Sequence, residues 1–166
     1  MRNIIFIHGL KSSGNGFKGT YLKSLFPDIL NPNFRKYKEN TSLDSLLEDR
    51  MDELDLILKK RNSWIIIGSS FGGLMATLYA IRNPEKIKSL ILLAPFLATP
   101  ILQIENIAPL NISTKIFHGE NDDIAQYKAS RKRAYQLFSN LEFNTTKDHH
   151  DLNETITTLN WNKLIT

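Results

Sequence analysis

Residues 64–82 read Trp64-Ile65-Ile66-Ile67-Gly68-Ser69-Ser70-Phe71-Gly72-Gly73-Leu74-Met75-Ala76-Thr77-Leu78-Tyr79-Ala80-Ile81-Arg82. The apolar run 64–67 is short and stops at a glycine, the pattern of a central strand buried on both faces. Residues 71–82 have helical patterning and end before Asn83-Pro84, where a helix must stop. Between them stands Gly68-Ser69-Ser70-Phe71-Gly72, a G-x-S-x-G element at a strand-to-helix junction. So sharp a turn pushes its central serine out at the edge of the sheet, and a side chain at either glycine would collide with neighbouring backbone. Ser70 is that central residue, while Ser69 occupies the unconstrained position.

Working outward, the alternation repeats. Residues 3–7 are rich in β-branched side chains and end at His8-Gly9, a strand followed by a glycine-dotted loop. Phe17, Tyr21, Leu22 and Leu25 keep helical spacing up to Pro27, and 28–31 is expected to be a second strand. Leu43, Leu46, Leu47, Met51, Leu54 and Leu58 form one apolar stripe among acidic residues, with Thr41 and Asp44 as a capping box. Strands are expected over 88–94, 115–117 and 141–145, and helices over 125–138 and 152–159. Strands alternating with helices give a mostly parallel sheet of about six strands in a three-layer α/β fold. No repeat, low-complexity tract or linker divides the 166 residues, so one domain, 1–166, is expected.

Composition narrows the chemistry. There is no cysteine, which excludes a disulfide framework, a thiolate zinc site and a cysteine nucleophile. The first apolar run is too short for a signal peptide or a membrane span, so a cytoplasmic protein that does not engage membranes is expected. The net charge of +4 comes from basic residues interspersed with acidic ones. The densest basic group, Lys128, Arg131, Lys132 and Arg133, falls in one expected helix, read as a solvated face rather than a nucleic-acid site.

A serine hydroxyl needs a base within hydrogen-bond reach and a group that orients the base. His118-Gly119-Glu120-Asn121-Asp122-Asp123 follows the fifth expected strand and Asp148-His149-His150-Asp151 the sixth. Both loops belong at the same carboxyl edge of the sheet as Ser70. The chain order is serine, acid, histidine, with the acid and the histidine each open between neighbours. Asp148, His149, His150 and Asp151 also have the chemistry of metal ligands, but adjacent residues seldom converge on one ion, so no metal and no cofactor are expected.

These motifs resemble those of the α/β-hydrolase superfamily, particularly small lidless bacterial serine esterases of the YqiA type, over nearly the whole chain. His8-Gly9 resembles the oxyanion loop, Gly68–Gly72 the nucleophile elbow, His118-Gly119-x-x-Asp122 the acid loop and His150-Asp151-Leu152 the histidine loop. The resemblance implies Asp122 as the acid, with Asp123 in reserve, and His150 as the base in preference to His149. It also implies the backbone N–H groups of Leu10 and Phe71 as oxyanion donors. Two strands that usually come first in larger members are missing here. Residues 96–112 leave no room for a helical cap, which implies an open site for small or exposed acyl groups.

The expectation is a small-molecule acyl ester or thioester substrate, attacked by Ser70 and released by water through an acyl-enzyme. An acyltransferase on the same triad and a non-enzymatic binding module on a hydrolase scaffold are the alternatives, with a peptidase ranked below the esterase. Ser12, Ser13, Gly14, Asn15 and Gly16 either shape the site or serve turn chemistry. Phe96, Ile101 and Leu102 are acyl-pocket or core residues, and His8 and His118 are read as structural. Oligomeric state is left open.

Overall fold

The computed structural model describes residues 2–166. Five strands, β1 (Asn3–Ile7), β2 (Trp64–Ser69), β3 (Ile87–Leu93), β4 (Ser113–Gly119) and β5 (Leu141–Thr146), form one sheet in the order β1-β2-β3-β4-β5. Every neighbouring pair is parallel. The connections carry helices α1 (Phe17–Leu25), α2 (Leu43–Leu58), α3 (Phe71–Arg82) and α4 (Tyr127–Leu137), and two short helices, α5 (Asn153–Thr158) and α6 (Trp161–Leu164), close the chain.

Period-two alternation sorts the strand side chains onto two faces. Ile5, Ile7, Ile66, Leu90, Leu92 and Ile116 pack under α2, α3 and α4. Ile4, Phe6, Ile65, Ile67, Ile91 and Leu93 pack under α1, α5 and α6. Ile5, Ile66 and Leu90 are fully buried, and each such side chain contributes about 1.5–3 kcal/mol to stability. The result is a three-layer α/β fold with helices on both faces of the sheet. Between β3 and β4, residues 94–112 form no helix, so no cap covers the sheet's carboxyl edge. No helix among the described residues is long and apolar enough to cross a membrane.

The sheet has five strands rather than the expected six. Residues 28–31 contribute only a bridge from Leu30 to Ile5, in which Leu30 N–H donates to Ile4 O and Phe6 N–H to Leu30 O. The next rung would need a donor at position 32. Pro32 has none, so the strand stops. The bridge still matters, because it places 28–31 on one side of β1 while β2 lies on the other. The chain therefore departs to both sides of β1, and the carboxyl ends of β1 and β2 flank a switch point of the kind where α/β folds bind ligands.

Three local expectations shift. The α2 cap is Ser42, whose Oγ accepts from Ser45 N–H at 3.2 Å, not Thr41. The closing helix expected over 152–159 is α5, and a further short helix that was not expected, α6, follows it. Lys128, Arg131, Lys132 and Arg133 do share α4, but Arg133 turns inward and donates to the carbonyls of Leu97, Thr99 and Leu102. It pins the β3–β4 connection rather than facing solvent.

Candidate active site

Ser70 occupies the turn between β2 and α3 with φ 53° and ψ −114°, a conformation that L-residues adopt only under constraint. The constraint is visible in the hydrogen bonds on both sides of the residue. Ser70 N–H donates to Leu93 O at 2.9 Å, while Ser70 O accepts from Phe96 N–H at 3.0 Å and Gly73 N–H at 2.9 Å. A β-carbon at Gly72 would overlap the Ile7 carbonyl, so only glycine lets α3 begin this close to β1.

Two loops, after β4 and after β5, bring a carboxylate and an imidazole to the turn that carries Ser70. His150 Nε2 lies 2.8 Å from Ser70 Oγ, and His150 Nδ1 lies 2.8 Å from Asp122 Oδ2. The carboxylate can only accept, so Nδ1 carries the ring proton and leaves Nε2 free to take the Ser70 hydroxyl proton. Contact between the acid and histidine loops depends on Gly119, where a β-carbon would overlap the Asp148 carbonyl.

Asp122 is fixed from every side. Its Oδ1 accepts from the N–H groups of Ile124 (2.9 Å) and Ala125 (2.8 Å), and its Oδ2 faces a second imidazole, His118 Nε2, at 3.1 Å. His118 Nε2 is also 2.7 Å from Ala125 O, an acceptor that requires the proton on Nε2. Burial holds the His118 pKa below its usual value against the pull of Ala125 O and Asp122. The ring is therefore a neutral prop, with its buried Nδ1 unpartnered.

The neighbours that sequence left open are placed elsewhere. Asp123 and His149 are exposed, and among the described residues neither side chain hydrogen-bonds to Ser70, His150 or Asp122. Asp148 accepts from His149 N–H, Thr155 N–H and Thr155 Oγ1, which ties the loop to the start of α5. Its burial disfavours the charged form, but these hydrogen bonds outweigh that and hold its pKa below the usual value. Leu152, in a left-handed conformation at φ 51°, is fully buried and anchors the loop just past His150. Leu102 is fully buried, and Phe96 and Ile101 are half-buried and pack against the same core.

Among the described residues, neither Leu10 N–H nor Phe71 N–H donates to a protein acceptor, so both remain free at the switch point. Their orientation depends on a residue that the sequence reading did not single out. Arg50 of α2 has 0% exposure, and it donates from Nε to Arg35 O (2.8 Å), from Nη1 to Gly9 O (3.3 Å) and from Nη2 to Leu10 O (3.0 Å). Its guanidinium carbon also lies 5.5 Å from the centre of the Phe71 ring. Burial lowers its pKa and Glu53 opposes the change, yet a guanidinium stays charged at neutral pH.

His8 grips the same loop. Its Nε2 accepts from Phe34 N–H at 3.1 Å, which places the proton on Nδ1 for donation to Gly9 O at 2.8 Å. Gly9 O shares a trans peptide plane with Leu10 N–H and points the opposite way. Holding one therefore aims the other. A buried arginine amid an acidic helix carries no local sequence signal of such a role.

The comparisons agree with this architecture. A family model described as the alpha/beta hydrolase fold matches residues 2–164. A curated relative, "Probable lysophospholipase BODYGUARD 2" of Arabidopsis thaliana, is 35% identical over 106 residues, covering 56% of this chain. The match spans only 22% of that protein's length. Mouse alpha/beta hydrolase domain-containing protein 10 superposes with a TM-score of 0.79 at 17% identity, covering 98% of this chain and 89% of its own. The Bacillus cereus carboxylesterase gives 0.71 at 18%, covering 99% and 89%. At such identities these structures speak for the fold, and the family model spans nearly the whole sequence: the chain belongs to the alpha/beta hydrolase fold family.

Proposed function

We propose that this protein is a serine hydrolase that cleaves small carboxylic esters or thioesters through Ser70, His150 and Asp122. The observation that carries the reading is the continuous relay from Ser70 Oγ to His150 to Asp122, with both hydrogen bonds at 2.8 Å. Ser70 attacks the acyl carbon as its proton passes to His150 Nε2, and Asp122 stabilises the resulting imidazolium. The tetrahedral oxyanion takes the free N–H groups of Leu10 and Phe71, each such donor contributing about 3–4 kcal/mol to transition-state stability. His150 then returns the proton to the departing alcohol or thiol. Water, deprotonated by the same imidazole, releases the acid from Ser70.

The short connection over residues 94–112 supports a preference for small or exposed acyl groups, because nothing there seals a long chain from water. A fluorophosphonate probe tests the reading together with p-nitrophenyl esters of increasing acyl length. The expected result is covalent labelling at Ser70 and hydrolysis that is lost in Ser70→Ala. Labelling retained in Ser70→Ala overturns it.

A further inference from the structure

The loop after β1 and the segment before α2 face each other across an open cleft of about 780 Å³. Lys11 on one wall and Lys36 and Lys38 on the other line it, and Glu39 is the one carboxylate among the lining residues. No carboxylate lies within 4.0 Å of any of the three ammonium groups among the described residues. Lys11 instead reaches across, its Nζ 5.8 Å from the centre of the Tyr37 ring on the opposite wall.

Arg50 bolts the two walls together from below, through Arg35 O on one side and the carbonyls of Gly9 and Leu10 on the other. Its acceptors are all neutral, and no carboxylate lies within ion-pairing distance of it among the described residues. Glu53 is near enough to act on this charge but does not pair with it directly, and a buried cation that is not ion-paired projects a field that solvent screens weakly. The lysines above add to that field with the same sign. The cleft also adjoins the reacting atoms. Leu10 lines it, and a β-carbon on Gly9 would sit 3.6 Å from Ser70 Cβ.

We propose that this cleft binds an anionic group, a phosphate or a carboxylate, carried by the ester or thioester that Ser70 attacks. The proposal rests on the esterase reading of the same site and adds the charge of its substrate. Flexible ammonium groups suit an anion whose oxygens accept charge-assisted hydrogen bonds, whereas an acyl tail laid here would strand those charges against hydrocarbon. The anion is carried on the alcohol side or on the acyl side of the bond, and matched substrates tell these apart.

The test compares kcat/KM within two pairs: 1-butyrylglycerol 3-phosphate against 1-butyrylglycerol, and p-nitrophenyl hydrogen glutarate against p-nitrophenyl valerate. In one pair the charged member is expected to lead by about tenfold at low salt and by much less near 0.5 M salt, where screening is short-ranged. In the Lys36→Glu, Lys38→Glu double variant, whose altered side chains are exposed, the ratio should fall to one or below. Independently of turnover, glycerol 3-phosphate and glutarate titrated into Ser70→Ala protein should give saturable amide NMR shifts at residues 10–16 and 36–39 that the double variant loses. Hydrolysis of neutral esters with ratios near one in both pairs and no saturable shifts overturns the cleft and leaves the esterase reading standing. Saturable shifts without hydrolysis of any of the four compounds overturn the esterase reading and leave the anion site.

Discussion

Arg50 Nη2 donates to the carbonyl oxygen of Leu10 across 3.0 Å, from a side chain with no solvent exposure. Its Nη1, together with His8, holds Gly9 O and so fixes the peptide whose N–H is the proposed oxyanion donor. Arg50→Lys keeps a charge but cannot span both walls. With a neutral p-nitrophenyl ester, kcat should fall about 10–100-fold with little change in KM, the pattern of an interaction made mainly in the transition state. Urea denaturation should show a loss of about 2–5 kcal/mol, because buried carbonyls lose their donor. Unchanged kcat would remove Arg50 from the positioning of the loop.

Ser70 adopts φ 53° without being glycine, so the fold stores strain at the proposed nucleophile. Relative to Ser70→Ala, which keeps the β-carbon, Ser70→Gly should be more stable by about 1–2 kcal/mol, and both variants should be inactive. Paired chemical denaturation curves measure this, and equal midpoints would show that the backbone bears no strain there.

His150 and Asp122 should be distinguishable from their neighbours by single substitutions. His150→Ala should lower kcat by several orders of magnitude, and Asp122→Asn by about 10⁴, since an amide N–H facing Nδ1 disfavours the tautomer that leaves Nε2 unprotonated. His149→Ala and Asp123→Asn should remain within about twofold, because both side chains are exposed and away from the relay. Steady-state ester hydrolysis by the four variants provides the comparison, and a large loss in His149→Ala would reverse the order of the two imidazoles.

His8 and His118 both have pKa values below the ordinary histidine value. Burial is the main cause in each, and for His8 the Arg50 charge adds to it while Gly9 O opposes. The unfolded chain therefore binds protons that the folded chain refuses. Stability from this source is complete above the unfolded histidine pKa of about 6.5 and is lost as pH falls below it, at up to about 1.4 kcal/mol per pH unit for each ring. His8→Asn can supply both a donor and an acceptor without titrating, so it should flatten the slope between pH 7 and 5.5 by up to one proton. Urea midpoints across that range test it, and an unaltered slope would mean that His8 charges freely in the folded state.

Much of this molecule was readable from residue pattern. The apolar run 64–67, the glycines around Ser70 and the helical spacing of 71–82 specified a strand, a tight turn and a helix through local sterics alone. The α/β class followed from repeating that alternation. The expected second strand failed for an equally local reason, since Pro32 removes the donor of the next rung. The cap of α2 moved by one residue because Ser42 and Thr41 offer the same oxygen to the same helix end. Arg133 reads as part of a solvated face because its partners, the carbonyls of Leu97, Thr99 and Leu102, lie in a connection more than thirty positions away.

By itself the sequence determined the layered α/β architecture and the presence of a serine, carboxylates and histidines on loops at one edge of the sheet, since period, turn chemistry and chain order are local properties. Only the tertiary structure decided which carboxylate and which imidazole meet Ser70. Asp122 and Asp123, like His149 and His150, are chemically alike and adjacent in the chain. They differ in whether the surrounding backbone turns them inward to Ile124 and Ala125 N–H and to Ser70, or outward to water. The tertiary structure likewise decided that Arg50 would be buried beneath the loop after β1, because a long-range contact with the Gly9 and Leu10 carbonyls leaves no trace in the residues around position 50.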